Sequence, residues 1–123
     1  MSVPILKQGD VLIASIQVAL SDRELVELRD QLADRVGRLR ARGVIIDVTE
    51  LDVLDSFAAR MLRGIAYTAK LRGAKTVVAG IQPEVALAMV QLGLSLDGIA
   101  TALDLEEGLV LLRGGSDERV PRD

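Results

Sequence analysis

Apolar residues in this chain occur both as short continuous runs and as stripes with helical spacing. Residues 11–16 and 44–48 are short, partly β-branched runs, and the second has the nearly continuous apolar character of a central strand covered on both faces. Between them, apolar residues three and four positions apart predict an amphipathic helix with its stripe at Leu25, Leu28, Leu32, Val36 and Leu39. A capping box of Ser21 and Glu24 opens this helix, which is expected to run to about Arg42.

The rest of the chain continues the alternation of strands and helices. The further predicted elements are a short strand at 3–7, a loop at 49–55, a helix starting near Ser56, a strand at 74–79, a helix opening at Pro83, an extended piece at 99–103 and a helix opening at Asp104. This order predicts an α/β fold with a mixed, mostly parallel β-sheet and α-helices packed on it. Ligands and switches in such sheets tend to lie at the carboxyl ends of the strands, which is where the loop after Val48 falls.

Length and composition point to one domain with an aliphatic core. The 123 residues fit a single domain, which we place at residues 1–112. Residues 113–123 are Gly-rich and charged, and we expect a disordered C-terminal tail because they bury too little surface to offset the entropy of ordering. Aromatic residues make up only 2% of the chain. Phe57 and Tyr67 therefore leave no set of stacking platforms for single-stranded nucleic acid.

The charge balance opposes a nucleic-acid partner as well. The net charge is -3 and the pI is about 5.0, whereas duplex binding needs clustered positive charge. The arginine cluster is assigned to the polar face and last turn of the first helix, where cations complement the dipole: Arg35, Arg38, Arg40 and Arg42. The absence of Cys, of an apolar run near ~20 residues and of a signal-peptide pattern favours a cytoplasmic protein without a membrane partner.

No catalytic motif is found in the sequence. Cys and His are absent, and no P-loop, dinucleotide-binding glycine pattern or serine-hydrolase elbow occurs, so we expect no enzyme activity and no cofactor. The loop after the central strand is acidic, with Asp47, Glu50, Asp52 and Asp55. Such a cluster would suit Mg²⁺ or an aspartyl-phosphate site. The companion residues of a receiver domain are missing, however, which favours solvated loop carboxylates near helix starts and no metal site.

Ser56 has two interpretations. It stands where an N-cap is expected, and as a cap its replacement by Ala would cost about 1 kcal/mol. The capping box is incomplete, because Ala59 takes the place of Glu or Gln. A hydroxyl at a helix start is also a favourable place for a phosphate, since free N–H groups and the positive dipole end receive the dianion. Asp52 and Asp55 would repel that phosphate, so modification would change both charge and local packing.

Residues 44–49, followed by Leu54, Asp55 and Ser56, resemble the phosphorylation segment of the STAS domain, the fold of anti-sigma-factor antagonists. The resemblance spans residues 4–112. It is strongest to the RsbS-type members of the stressosome, on seven segments in the right order: residues 4–7, 15–17, 55–57, 69–71, 73–75, 80–83 and 101–106. Two features depart from the pattern and leave kinase preference open. One is the tail after Leu112, and the other is Phe57, where many STAS domains have a second Ser.

The resemblance implies a phosphorylatable scaffold and not an enzyme. Such proteins self-associate and co-assemble with RsbR-type STAS proteins into a large cytoplasmic assembly that holds an RsbT-type serine/threonine kinase. That kinase phosphorylates the motif serine, here Ser56, and leaves, while an RsbX-type phosphatase resets the site. Asp47, Asp52, Asp55 and Phe57 would be neighbours of the acceptor. The alternatives are a free-standing anti-sigma-factor antagonist that pairs with its kinase as a heterodimer, and a small-ligand or nucleotide-binding STAS module.

Overall fold

In a computed structural model, which describes residues 3–114, the chain forms a five-stranded sheet and four helices. In chain order the elements are β1 (Ile5–Gln8), β2 (Val11–Ser15), α1 (Asp22–Leu39), β3 (Gly43–Asp47), α2 (Ser56–Leu71), β4 (Lys75–Ala79), α3 (Pro83–Leu92), β5 (Ala100–Ala102) and α4 (Leu105–Arg113). All the predicted strands and helices are present, with boundaries that differ by at most three residues.

The strands follow one another across the sheet in the order β1-β2-β3-β4-β5. The β1–β2 pair is antiparallel, and every later pair is parallel. The predicted α/β fold with a mixed, mostly parallel sheet is therefore confirmed. The predicted central strand is indeed in the middle, since Val44, Ile45 and Ile46 of β3 have no exposed surface. Because β2, β3 and β4 are parallel and in register, their carboxyl ends lie together at one edge of the sheet.

Helices cover both faces of the sheet, with the side chains of each strand alternating between them. Val44 and Ile46 of β3 pack with the apolar stripes of α1 and α2 and with the buried residues of α3. Ile45 faces the opposite way and packs with α4. This alternation follows from the two-residue period of a strand. It divides the core into a large cluster under three helices and a smaller one under α4.

The first helix confirms its predicted start and corrects its predicted end. The Ser21 hydroxyl accepts the N–H of Glu24 at 3.1 Å, and the Glu24 carboxylate accepts the N–H of Ser21 at 2.9 Å. Two hydrogen bonds with Ser21 hold the pKa of Glu24 below its ordinary value of 4.5. The bond from the Ser21 backbone N–H is the larger cause, and the bond with its side chain is the smaller. The helix ends at Leu39 and not at Arg42, because Arg40 turns into the left-handed region at φ 54°. The Arg42 N–H then bonds the Asp10 carbonyl at 2.7 Å, which leads the chain into β3.

The arginine cluster is divided between α1 and the turn that follows it. Arg38 pairs with Asp34 at 3.1 Å, one helical turn away. Arg35 donates to the carbonyl of Ile5 in β1 at 3.3 Å. Arg40 and Arg42 lie beyond the end of the helix, so the prediction that all four belong to it is wrong for these two.

The last helix opens as predicted. The Asp104 carboxylate accepts the N–H of Glu107 at 2.8 Å, and Glu107 accepts the N–H of Leu103 at 2.6 Å. The helix includes Arg113, which lies one residue past the predicted domain end. Residues 115–123 of the predicted tail lie outside the described residues.

Candidate functional site

The loop after β3 brings Ser56 to the edge of the sheet where the parallel strands end. The strand ends at Asp47, and the loop leads directly into α2, whose first residue is Ser56. Ser56 is exposed, as are Asp52 and Asp55, whereas Asp47 and Phe57 are partly buried. The predicted acceptor and the residues predicted around it are thus located in one continuous segment at this edge, and the Ser56 side chain is accessible from solvent.

Asp55, and not Ser56, is the N-cap of α2. The Asp55 carboxylate accepts the N–H of Ala58 at 2.8 Å, and its carbonyl accepts the N–H of Ala59 at 2.9 Å. The prediction that Ser56 caps the helix is therefore wrong. Asp and Ser are equally good caps, and an aspartate also brings a negative charge to the positive end of the helix dipole. Ser56 becomes the first helical residue, and its hydroxyl has no part in the cap.

With Asp55 as the cap, alanine substitutions at Asp55 and at Ser56 should change the free energy of unfolding by different amounts. Asp55→Ala removes the cap and should lower the free energy of unfolding by about 1 kcal/mol, within roughly 0.5–2 kcal/mol. Ser56→Ala removes an exposed hydroxyl that does not cap the helix, and it should change the free energy of unfolding by less than about 0.5 kcal/mol. Urea denaturation of both variants beside the wild type measures the difference. A larger loss in Ser56→Ala than in Asp55→Ala would contradict the cap seen here.

Thr49 ties the acceptor loop to the end of the neighbouring strand. The Asp47 carboxylate accepts the backbone N–H of Thr49 at 3.0 Å and its hydroxyl at 2.6 Å. The Thr49 carbonyl in turn accepts the side-chain amide of Gln82 at 2.7 Å. Gly80 lies so close that an added Cβ would overlap the Thr49 hydroxyl, and its φ of +83° also favours glycine. No motif in the sequence predicted this anchor, and its one signal was the segment 80–83 that carries part of the family resemblance.

The loop carboxylates are engaged locally. Asp47 and Asp55 each accept backbone N–H groups. Within residues 3–114, no group of three or more acidic side chains is placed to hold a metal ion. Two cavities beside the loop measure about 60 and 190 Å³. Small-molecule pockets usually start at roughly 300 Å³. Asp47 and Asp55 are therefore satisfied by backbone donors of the loop and of the start of α2.

Exposed side chains continue from Ser56 along one face of α2. Arg60, Tyr67 and Leu71 follow at helical spacing, and together with Ser56 they are called the α2 strip below. Tyr67 and Leu71 are exposed by 65% and 69%. The guanidinium carbon of Arg60 lies 5.5 Å from the centroid of the Phe57 ring. Exposed aromatic, aliphatic and arginine side chains in one strip are typical of protein-interaction surfaces.

The fold and site define a small α/β domain that presents a free hydroxyl at a helix start, beside the carboxyl ends of parallel strands. The family model described as the STAS domain matches residues 2–108. The chain belongs to the STAS domain family. The family resemblance inferred from the sequence segments is thereby confirmed.

Two solved structures and one curated relative are similar to the chain. An RsbS of Moorella thermoacetica with a serine-to-glutamate substitution is 35% identical, with a TM-score of 0.79, and the match covers 95% of this chain and 97% of that one. A chain from a structure described as the molecular architecture of the stressosome is 32% identical, with a TM-score of 0.72, over 98% and 100% of the two chains. The RsbT co-antagonist protein RsbRA of Bacillus subtilis is 30% identical over 93 residues, or 76% of this chain.

The match to the RsbR-type relative is partial on the relative's side. The chain covers about a third, 34%, of the length of RsbRA. The similarity thus extends over about a third of RsbRA and over nearly the whole of the Moorella RsbS chain.

Among residues 3–114, no helix combines the length and the apolar character that crossing a membrane requires.

Proposed function

We propose that this protein is a stressosome component of the RsbS type, whose Ser56 accepts phosphate from an RsbT-type serine/threonine kinase. The unmodified protein holds the kinase, phosphorylation releases it, and an RsbX-type phosphatase restores the starting state. The observation that carries this proposal is the exposed Ser56 hydroxyl, which is free of the helix cap. It supports the role together with the similarity to RsbS over 95% of the chain.

The proposed switch is electrostatic and needs no catalysis by this chain. A phosphate adds roughly -1.5 to -2 charge at pH 7. It would be attached at one end of the α2 strip, directly beside the Asp55 carboxylate. Negative charge at a protein interface acts on the partner by repulsion and by desolvation, so a local change is enough to weaken binding. Long-range refolding of the domain is not required.

The kinase is proposed to bind the α2 strip and the acceptor loop. Ser56 must enter the kinase active site, and exposed side chains continue from it along the same helix to Tyr67 and Leu71. Tyr and Arg are the residue types that most often anchor protein interfaces. Arg60 therefore supplies a charge one helical turn from the acceptor, and Tyr67 supplies an anchor further along the strip.

Phosphopeptide mass spectrometry tests the acceptor assignment. After incubation with the cognate RsbT-type kinase and ATP, we expect one phosphate on the peptide that contains Ser56. Ser56→Ala should lose this labelling and keep the fold, because its hydroxyl is outside the cap. Asp55→Ala is the useful second variant, since it weakens the helix start but retains the acceptor. Labelling of Ser56→Ala to the wild-type level would show that the acceptor lies elsewhere.

Assembly is the second part of the proposal. Similarity to a stressosome chain over 98% of this protein supports co-assembly with RsbR-type STAS proteins in a large cytoplasmic particle. A free-standing antagonist would instead form a simple heterodimer with its kinase. Size-exclusion chromatography with light scattering on a mixture with an RsbR-type protein should show a species far larger than 13.2 kDa, the mass of one chain. Elution of both proteins as separate small species would favour the free-standing antagonist.

A further inference from the structure

Arg60 is the cation of α2 that is placed one helical turn after the acceptor. It is exposed, and its guanidinium carbon lies 5.5 Å from the centroid of the Phe57 ring. None of the ion pairs or hydrogen bonds found among residues 3–114 involves its side chain. A cation held over an aromatic ring at an exposed site is weakly bound. Arg60 is therefore available to a stronger partner that appears within its reach.

Ser56 and Arg60 stand at positions i and i+4 of the same helix. Side chains at this spacing are neighbours on the helix surface, about 5–6 Å apart at their Cβ atoms. An anion placed before a cation in this order also suits the helix dipole. A phosphate on Ser56 would consequently come within reach of the Arg60 guanidinium without a change in the backbone.

Besides Arg60, the helix start offers the phosphate the backbone N–H groups of Ser56 and Phe57, which the Asp55 cap does not engage. The Asp55 carboxylate already accepts the N–H of Ala58, and the Asp55 carbonyl accepts the N–H of Ala59. The negative charge of Asp55, like that of Asp52, opposes a second anion. Arg63, the next cation along the helix, donates to the carbonyl of Ser95 at 2.6 Å and is directed towards that loop.

We propose that Arg60 receives the phosphate of modified Ser56 and gives up its contact with the Phe57 ring to do so. This inference rests on the proposed function, because it needs a phosphate on Ser56. The planar guanidinium offers two parallel N–H donors to phosphate oxygens, a stronger contact than that with the ring. Phosphorylation then alters the partner surface at three places: a charge is added at Ser56, the charge of Arg60 is neutralised, and the Phe57 ring is uncovered.

The test uses protein that carries phosphoserine at position 56 through its incorporation during synthesis, so that no kinase is needed. A phosphorus NMR titration then measures the second pKa of the phosphate. We expect Arg60→Gln to raise this pKa by about 0.2 to 0.4 unit, because a cation paired with the dianion is lost. Arg63→Gln is the matched control and should leave it within about 0.1 unit of the wild-type value. Asp52 and Asp55 are present in all three proteins, so their effects cancel in the comparison.

The ring of Phe57 gives an independent readout, since it is the one phenylalanine in the chain. In the phosphorylated wild type, its ring-proton shifts should move towards those of unphosphorylated Arg60→Gln, in which the ring has lost the guanidinium. Equal phosphate pKa values in the wild type and Arg60→Gln, with unmoved Phe57 shifts, would overturn the inference. That outcome would leave the kinase-labelling result untouched. Failure of the kinase to label Ser56 would instead refute the proposed function on its own.

Discussion

Replacing Ser56 with aspartate is expected to weaken binding of the RsbT-type kinase by about 30- to 150-fold, which corresponds to a loss of roughly 2–3 kcal/mol at the interface. The side chain is exposed at the first position of α2 and adjoins the Asp55 carboxylate. A second carboxylate there doubles the negative charge at the end of the α2 strip. The kinase active site must then desolvate an anion in place of a hydroxyl, at a cost that a neutral group does not incur.

Ser56→Asn is the matched control, because asparagine has nearly the shape of aspartate without its charge. Isothermal titration of the kinase into the wild type, Ser56→Asn and Ser56→Asp separates the effect of size from that of charge. Asparagine should keep most of the affinity, and the loss in the aspartate variant should shrink at high salt, as screening predicts for an exposed charge. Equal dissociation constants for the two variants would mean that charge is not the basis of the switch.

Gly80→Ala is expected to lower the free energy of unfolding by about 2–5 kcal/mol, although it adds a single methyl group. One contribution is the backbone: φ is +83° at Gly80, and a residue with a Cβ pays about 1–2 kcal/mol in that region. The other is overlap of the new methyl group with Thr49, which an ordinary overpacking cost of about 1–3 kcal/mol describes. The two add because they act on different parts of the same residue.

Thr49→Ala distinguishes these two contributions in a double-mutant cycle. Removing the Thr49 hydroxyl should recover part of the loss in Gly80→Ala and leave the backbone cost of positive φ in place. Gly73→Ala is a useful comparison, because Gly73 has φ +93° with nothing within 4 Å of an added Cβ. It should show the backbone cost alone. Thermal or urea unfolding of the wild type and the four variants gives the values, and a Gly80→Ala variant no less stable than Gly73→Ala would refute the close contact.

At the end of the acceptor loop, local sequence rules do not identify which residue caps α2. Asp55 and Ser56 are adjacent, and either is a good N-cap, so the residue types alone do not choose between them. The choice depends on which residue adopts extended backbone angles, and Asp55 does so at φ -84° and ψ -180°. The end of α1 likewise depends on backbone angles, since Arg40 leaves the helix two residues before Arg42, the predicted end. The bond from Arg42 to Asp10 joins residues far apart in sequence.

Hydrophobic periodicity by itself determined the order and type of the elements, because burial requires apolar side chains every second residue in a strand and every third or fourth in a helix. Seven short segments further determined the family. The tertiary structure alone decided how the acceptor loop is held: Gln82 bonds Thr49 across 33 positions, and Gly80 makes room for the Thr49 hydroxyl. It also decided that Ser56 is left free, with Arg60 beside it over Phe57. These contacts depend on how strands and helices approach one another, which no local pattern of residues specifies.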